Sequence, residues 1–148
     1  MSRFKKWLPP KLDADGCAYP NADNKYQKLH CYGWRCFYPE KLLLGYGCDI
    51  GHGSFLQAKY GIKIDKDVQI GGGCYIYSES TINNKTGKII IKENAKIGAC
   101  SVILPGVTIG KNSVVGAGSV VLYGTKIPDN EVWVGIPCKK KGDIKHGK

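Results

Sequence analysis

Proton transfer near neutral pH most often falls to histidine, and this chain has three: His30, His52 and His146. His52 lies in a Gly-His-Gly-Ser stretch, two residues after Ile50. Glu79, three residues after Ile76, is an acid of the kind that orients a base or accepts a proton. The three histidines lack the spacing that would gather them on one metal ion. The seven cysteines, Cys17, Cys31, Cys36, Cys48, Cys74, Cys100 and Cys138, are odd in number and scattered. Cys31 and Cys36 are not followed by a second pair at a zinc-like spacing, so no metal site is expected. Cys100 has no adjacent base, which makes it a weak acyl-carrying thiol.

The balance of 22 Lys and Arg against 12 Asp and Glu gives a net charge of +10. Such a surface attracts phosphorylated cofactors, nucleic acid and anionic lipid. No nucleic-acid motif accompanies it. The aromatics between Tyr32 and Tyr38 do not alternate with basic residues over a surface long enough for base stacking. No apolar run approaches the roughly 18 residues that span a bilayer. Met1–Lys11 has no apolar h-region, which argues against a secretory signal and for reduced thiols in the cytoplasm. The length of 148 residues suits one domain. The 20 glycines argue against a helical bundle, since each one inside a helix costs about 1 kcal/mol against Ala.

The elements that must position these groups follow from a repeat. Leu44, Ile50 and Leu56 are six apart; so are Ile64, Ile70, Ile76 and Ile82, and again Ile91, Ile97, Ile103, Ile109, Val115, Val121 and Ile127. The phase breaks near Tyr60–Lys63 and near Asn83–Lys88. Glycine recurs one position after the aliphatic (Gly45, Gly51, Gly71, Gly98, Gly110, Gly116), and a small residue four after it, such as Cys48, Ser54, Cys74, Ala95 and Ser101. A period of six fits neither a helix nor a hairpin meander. It fits a short strand and a tight corner, three per triangular coil, with parallel coils stacked about 4.8 Å apart. Fourteen units predict between four and five coils. The organisation is then an aromatic-rich N-terminal extension over 1–43, a repeat over 44–127 and a C-terminal cap with a basic tail over 128–148. The seven isoleucines 64, 70, 76, 91, 97, 103 and 109 are expected to share one core. His52 falls at a corner and points outward. Counting by coils puts Lys59, Glu79, Cys100 and Gly118 on one corner line.

The stretch IGACSVILPGVTIGKNSVVGAGSVV (Ile97 to Val121), followed by IPDNEVWVGIPCK (Ile127 to Lys139), resembles the hexapeptide-repeat acyltransferases. Within them it is most similar to sugar acetyltransferases of bacterial surface-polysaccharide pathways. The resemblance implies an all-β, left-handed parallel β-helix, a hand opposite to that of ordinary parallel crossovers. It also implies a homotrimer, acetyl-coenzyme A in the groove between subunits, and a sugar or nucleotide-sugar acceptor. By motif, Ala99 and Ala117 fall where the family contacts the pantetheine arm, and Lys139 where a basic residue meets the phosphates. The family often carries a histidine in the loop before the coil that starts here at Ile91. This chain reads IYSESTINNKTGKIII there, with Glu79 in place of a histidine. The catalytic candidates are therefore His52 as general base, reaching the groove of a neighbouring subunit, and Glu79 as orienter or proton acceptor. The acetyl end is expected near the Ile76–Asn84 turn. An amine acceptor, which depends less on a base, fits the missing histidine slightly better than a hydroxyl. The fold also hosts γ-type carbonic anhydrases, but their three metal-bound histidines have no counterpart here. The competing reading is a non-catalytic trimeric β-helix that serves as a scaffold or binding module. Binding of acetyl-coenzyme A separates it from the enzyme.

Overall fold

The structure, a computed structural model, describes residues 27–29 and 32–145. His30, His146, Cys17, Cys31 and the aromatics Phe4, Trp7, Tyr19 and Tyr26 lie outside the described residues.

Three parallel walls make a triangular solenoid. Wall I stacks Arg35–Phe37, Phe55–Gln57, Tyr75–Tyr77, Val102–Ile103 and Val120–Val121. Wall II stacks Leu42–Leu44, Ile62–Ile64, Ile89–Ile91, Thr108–Ile109 and Lys126–Ile127. Wall III stacks Asp49–Ile50, Gln69–Ile70, Lys96–Ile97, Val114–Val115 and Glu131–Val134. The chain visits the walls in the order I, II, III through five coils. Antiparallel strands close the two ends: Gln27–Leu29 pairs Arg35–Phe37, and Lys139–Asp143 pairs Glu131–Val134.

The seven isoleucines expected inside are all buried, none more than 3% exposed. They sit in register, Ile91 between Ile64 and Ile109, Ile70 beside Ile97, and Ile76 beside Ile103. The glycine one position later has a steric cause. A Cβ on Gly71 would stand 2.5 Å from the Ala99 backbone nitrogen, because the next coil rests there. The small residues at the fourth position tie coils together. Buried Ser101 donates its Oγ to the carbonyls of Gly98 at 2.8 Å and Gly116 at 3.1 Å. At the corner between walls II and III, Asn94, Asn112 and Asn130 hold left-handed backbone, which Asn tolerates. Their amides form a ladder along the axis, Asn94 Nδ2 to Asn112 Oδ1 at 2.8 Å and Asn112 Nδ2 to Asn130 Oδ1 at 3.0 Å.

Three expectations are corrected. The first coil starts at Arg35, inside the segment read as an extension, because buried Cys36 fills the inward place that an aliphatic fills elsewhere. Ile82 is no rung. It is 98% exposed, in the tip between the hairpin strands Glu79–Ser80 and Lys85–Thr86. Lys59, Glu79, Cys100 and Gly118 do not share a corner. The first two lie between walls I and II, the last two between walls III and I.

Candidate functional site

The corner between walls III and I is built from GHGS, GGGC, GACS and GAGS, residues 51–54, 71–74, 98–101 and 116–119. Backbone hydrogen bonds stack these turns: Gly73 N–H to His52 O at 3.0 Å, Cys100 N–H to Gly72 O at 2.9 Å, and Gly118 N–H to Ala99 O at 2.9 Å. His52, Gly72, Ala99 and Ala117 therefore occupy successive levels of one edge. Above them, Cys138 N–H bonds Val120 O, and exposed Lys139 opens the closing strand. Ala99 and Ala117 are exposed, and a Cβ placed on Gly118 would meet nothing within 4 Å. Beside the edge, on the outer face of wall III, runs a shallow groove of about 370 Å³ lined by Gln69, Gly71, Lys96, Gly98, Val114 and Ala117 among others. Above His52, the small residues Gly72, Ala99 and Ala117 leave space along the line.

At the lower end of that edge, His52 is exposed and packs its ring over Gly33, where a Cβ would collide with Nδ1. It borders a cleft of about 440 Å³ lined also by Arg35, Phe55 and Tyr75. The outward side of wall I here is aromatic. Phe37 meets Phe55 edge-on at 4.8 Å between centroids, and Tyr75 stacks on Tyr77 at 6.1 Å. Burial, with a smaller contribution from Tyr75, holds the Tyr77 hydroxyl's pKa above its ordinary value. Arg35, Phe55 and Tyr75 were not singled out from the sequence. Their only sequence signal is position: aromatics flank the inward residue, as in Tyr75-Ile76-Tyr77.

Glu79 stands at the opposite edge of wall I and is already engaged. Its carboxylate accepts from Gln57 Nε2 at 3.0 Å and pairs with Lys59 Nζ at 3.5 Å. Ser78 Oγ in turn holds Gln57 Oε1 at 2.8 Å and receives Tyr60 N–H at 3.0 Å. The pKa of Lys59 is raised, first of all by the Glu79 charge. Within one chain, then, His52, Ala99 and Ala117 share an edge with Lys139 at its top, while Glu79 anchors the base of the Ile82 hairpin away from His52.

Residues 88–122 match the family model described as bacterial transferase hexapeptide (six repeats). That match covers 35 of the 148 residues, and the stacked parallel walls take the form of the left-handed parallel β-helix. The structure is similar to a maltose O-acetyltransferase from Clostridium difficile 630, at 28% identity and TM-score 0.66 over 77% of this chain and 65% of that one. It is similar to a hexapeptide-repeat acetyltransferase of Vibrio cholerae solved with acetyl-coenzyme A, at 27% identity and TM-score 0.69 over 75% and 64%. A galactoside acetyltransferase in complex with coenzyme A is similar at 29% identity and TM-score 0.67, over 76% and 59%. The chain thus spans somewhat less than two thirds of each of these relatives. No curated protein sequence matches it. Among the described residues, no helix is long and apolar enough to cross a membrane.

Proposed function

We propose that this protein is an acyltransferase that moves an acetyl group from acetyl-coenzyme A to an amino or hydroxyl group of a sugar, nucleotide-linked sugars included. One observation carries the reading: His52, Ala99 and Ala117 share one edge, in that order upward, with Lys139 at its top. Two of the similar structures hold acetyl-coenzyme A or coenzyme A. The residues here suit that co-substrate. The edge is lined by small side chains with open space at Gly118, which suits a narrow flexible arm, and exposed Lys139 with Lys141 beyond it suits phosphates.

Acetyl-coenzyme A supplies an activated thioester. Ala99 and Ala117 admit its arm, and Lys139 meets its phosphates. That orientation brings the reacting end down to His52 and its cleft, rather than to the Ile76–Asn84 turn. His52 takes the proton that the acceptor's hydroxyl or amine must lose. Glu79, committed to Gln57 and Lys59 in its own chain, fixes the hairpin and acts on the proton only where a neighbouring subunit's histidine comes to it. We assign the protein as a homotrimer that works in the cytoplasm on precursors of a surface polysaccharide. A sedimenting trimer supports that assembly, and a monomer at micromolar concentration removes it.

The test is acetyl transfer to a panel of amino sugars and glycosides, followed by thiol release. Wild-type protein should release coenzyme A only with an acceptor present. Loss of a general base costs about 10²–10⁴ in rate, so His52→Asn should lower kcat by that order with little change in KM for acetyl-coenzyme A. A variant with wild-type kcat would exclude His52 as the base.

A further inference from the structure

The groove on wall III beside the alanine edge has few polar groups left to offer. Its floor is the backbone of the glycine turns, and that backbone is spent. Gly71 N–H bonds Ile97 O and Gly98 N–H bonds Val115 O, both at 2.8 Å, and Gly116 N–H bonds Trp133 O at 2.9 Å. The carbonyls already accept: Gly71 O from Ser54 Oγ at 2.9 Å, Gly98 O and Gly116 O from Ser101 Oγ. Bonds to an occupant therefore fall chiefly to side chains, and two of those on the lining are uncommitted. Gln69 and Lys96 are exposed, and neither side chain has a hydrogen bond or ion pair among the described residues. The carboxylate on the lining, Asp49, sits at the foot of the groove with an interaction of its own.

Register supplies the second observation. Gln69, Lys96 and Val114 are directly paired across wall III, so they form one outward column along the groove. Lys96 lies on the strand that runs into the Ala99 turn, below the height of Ala117 and above that of His52. On the other flank of the edge the outward pair is Val102 and Val120, which carry no polar side-chain atom. The arm of coenzyme A is a chain of amides and a hydroxyl with an apolar branched segment. Its carbonyls need donors, and its N–H groups need acceptors. An ammonium supplies donors alone, and a carboxamide supplies both. Val114 offers the branched segment an apolar contact.

We infer that the coenzyme's arm lies on the wall III flank of the edge, with Lys96 donating to its carbonyls and Gln69 bonding its amides, so that the two fix the height of the thioester. The inference rests on the transferase reading and adds residues to its co-substrate site. A nucleotide phosphate is the other group that Lys96 could meet, and the test separates the two.

The experiment compares coenzyme A with pantetheine, which has the arm and no nucleotide, on the full-length protein. Affinities are measured for the wild type, Lys96→Met, Lys96→Arg, Gln69→Leu and Lys92→Met. Lys92 is an exposed lysine at the corner between walls II and III, and its variant controls for net charge. One net hydrogen bond is equivalent to about threefold to tenfold in affinity. Lys96→Met should therefore lose about that much for both ligands, by a comparable factor. Lys96→Arg should recover most of the loss, Gln69→Leu should weaken both ligands, and Lys92→Met should weaken neither. Melting temperatures should stay unchanged, because these side chains are exposed. In acetyl transfer, Lys96→Met should raise KM for acetyl-coenzyme A more than it lowers kcat. Full affinity in Lys96→Met, a loss confined to coenzyme A, a loss matched by Lys92→Met, or a wild type that binds coenzyme A and no pantetheine overturns the inference, and the transferase reading stands. If coenzyme A itself does not bind, the transferase reading falls, and the inference with it.

Discussion

Cysteine environments divide sharply along this chain. Cys100 is exposed at the outer edge, while Cys36, Cys48 and Cys74 point into the core. Burial, helped by the Glu40 charge, pushes the Cys36 thiol up to about 12, and burial pushes Cys48 up to about 11. The thiolate is the reactive form. Iodoacetamide at neutral pH followed by peptide mapping should therefore label Cys100 in the native protein and leave Cys36, Cys48 and Cys74 unlabelled until it unfolds. Early labelling of Cys36 would contradict its place in the first coil. The sign of the shift also sets a pH trend. Thiols held above their ordinary pKa of 9.0 favour the folded state at neutral pH, and that contribution is lost as pH climbs from about 9 toward 12. Denaturant midpoints should fall across that window, and less steeply in Cys36→Ala. At this scale the sequence singled out His52, Ala99 and Ala117, each two places after an inward aliphatic, but not their common edge, since the count by coils put His52 on another corner. It did not disclose Arg35, Phe55 and Tyr75. Outward positions carry no period, so their chemistry emerges only when register stacks them.

The strands were legible from the aliphatic period, since each inward side chain must meet its counterpart one coil away. The corners were less so, and Ile82 explains why. Each hexad place recurs at all three corners, so the wall assigned to a residue depends on counting every preceding hexad. Counting Ile82 as a rung moves Ile91 and everything after it on by one wall. That shift is what joins Cys100 and Gly118 to Lys59 and Glu79. The structure gives this stretch to a hairpin instead, latched at its base by Glu79, Gln57 and Lys59. The contrast is measurable. Ile97→Ala should cost about 2–5 kcal/mol in chemical denaturation, whereas Ile82→Ala should stay within about 0.5 kcal/mol. Equal costs would return Ile82 to the core. Glu79→Gln should speed hydrogen exchange over residues 79–86 while lowering kcat much less than His52→Asn. A kcat loss matching that of His52→Asn, with unchanged exchange, would make Glu79 a participant in the chemistry.

Five coils, with an antiparallel strand at each end, make a prism with exposed small residues along the edge that carries Ala99 and Ala117. The cap at the Lys139 end is itself pinned, with Lys140 paired to Glu131 at 3.0 Å and to Asp143 at 3.1 Å. Trp133 extends the wall III column, with Nε1 donating to Glu131 Oε2 at 2.7 Å. Lys139 keeps a defined height above the alanine edge as a result. The proposed acetyl transfer requires that edge to be a coenzyme A site, and calorimetric titration with coenzyme A addresses it most directly. The wild-type protein should bind. Ala117→Trp should lose affinity by about tenfold or more, equivalent to about 1.4 kcal/mol, at an unchanged melting temperature, because the side chain lies outside the coil. Lys139→Glu should bind more weakly and with less sensitivity to salt. Absence of binding by the wild-type protein, or full affinity in Ala117→Trp, would contradict the account and leave a β-helix that serves as a scaffold.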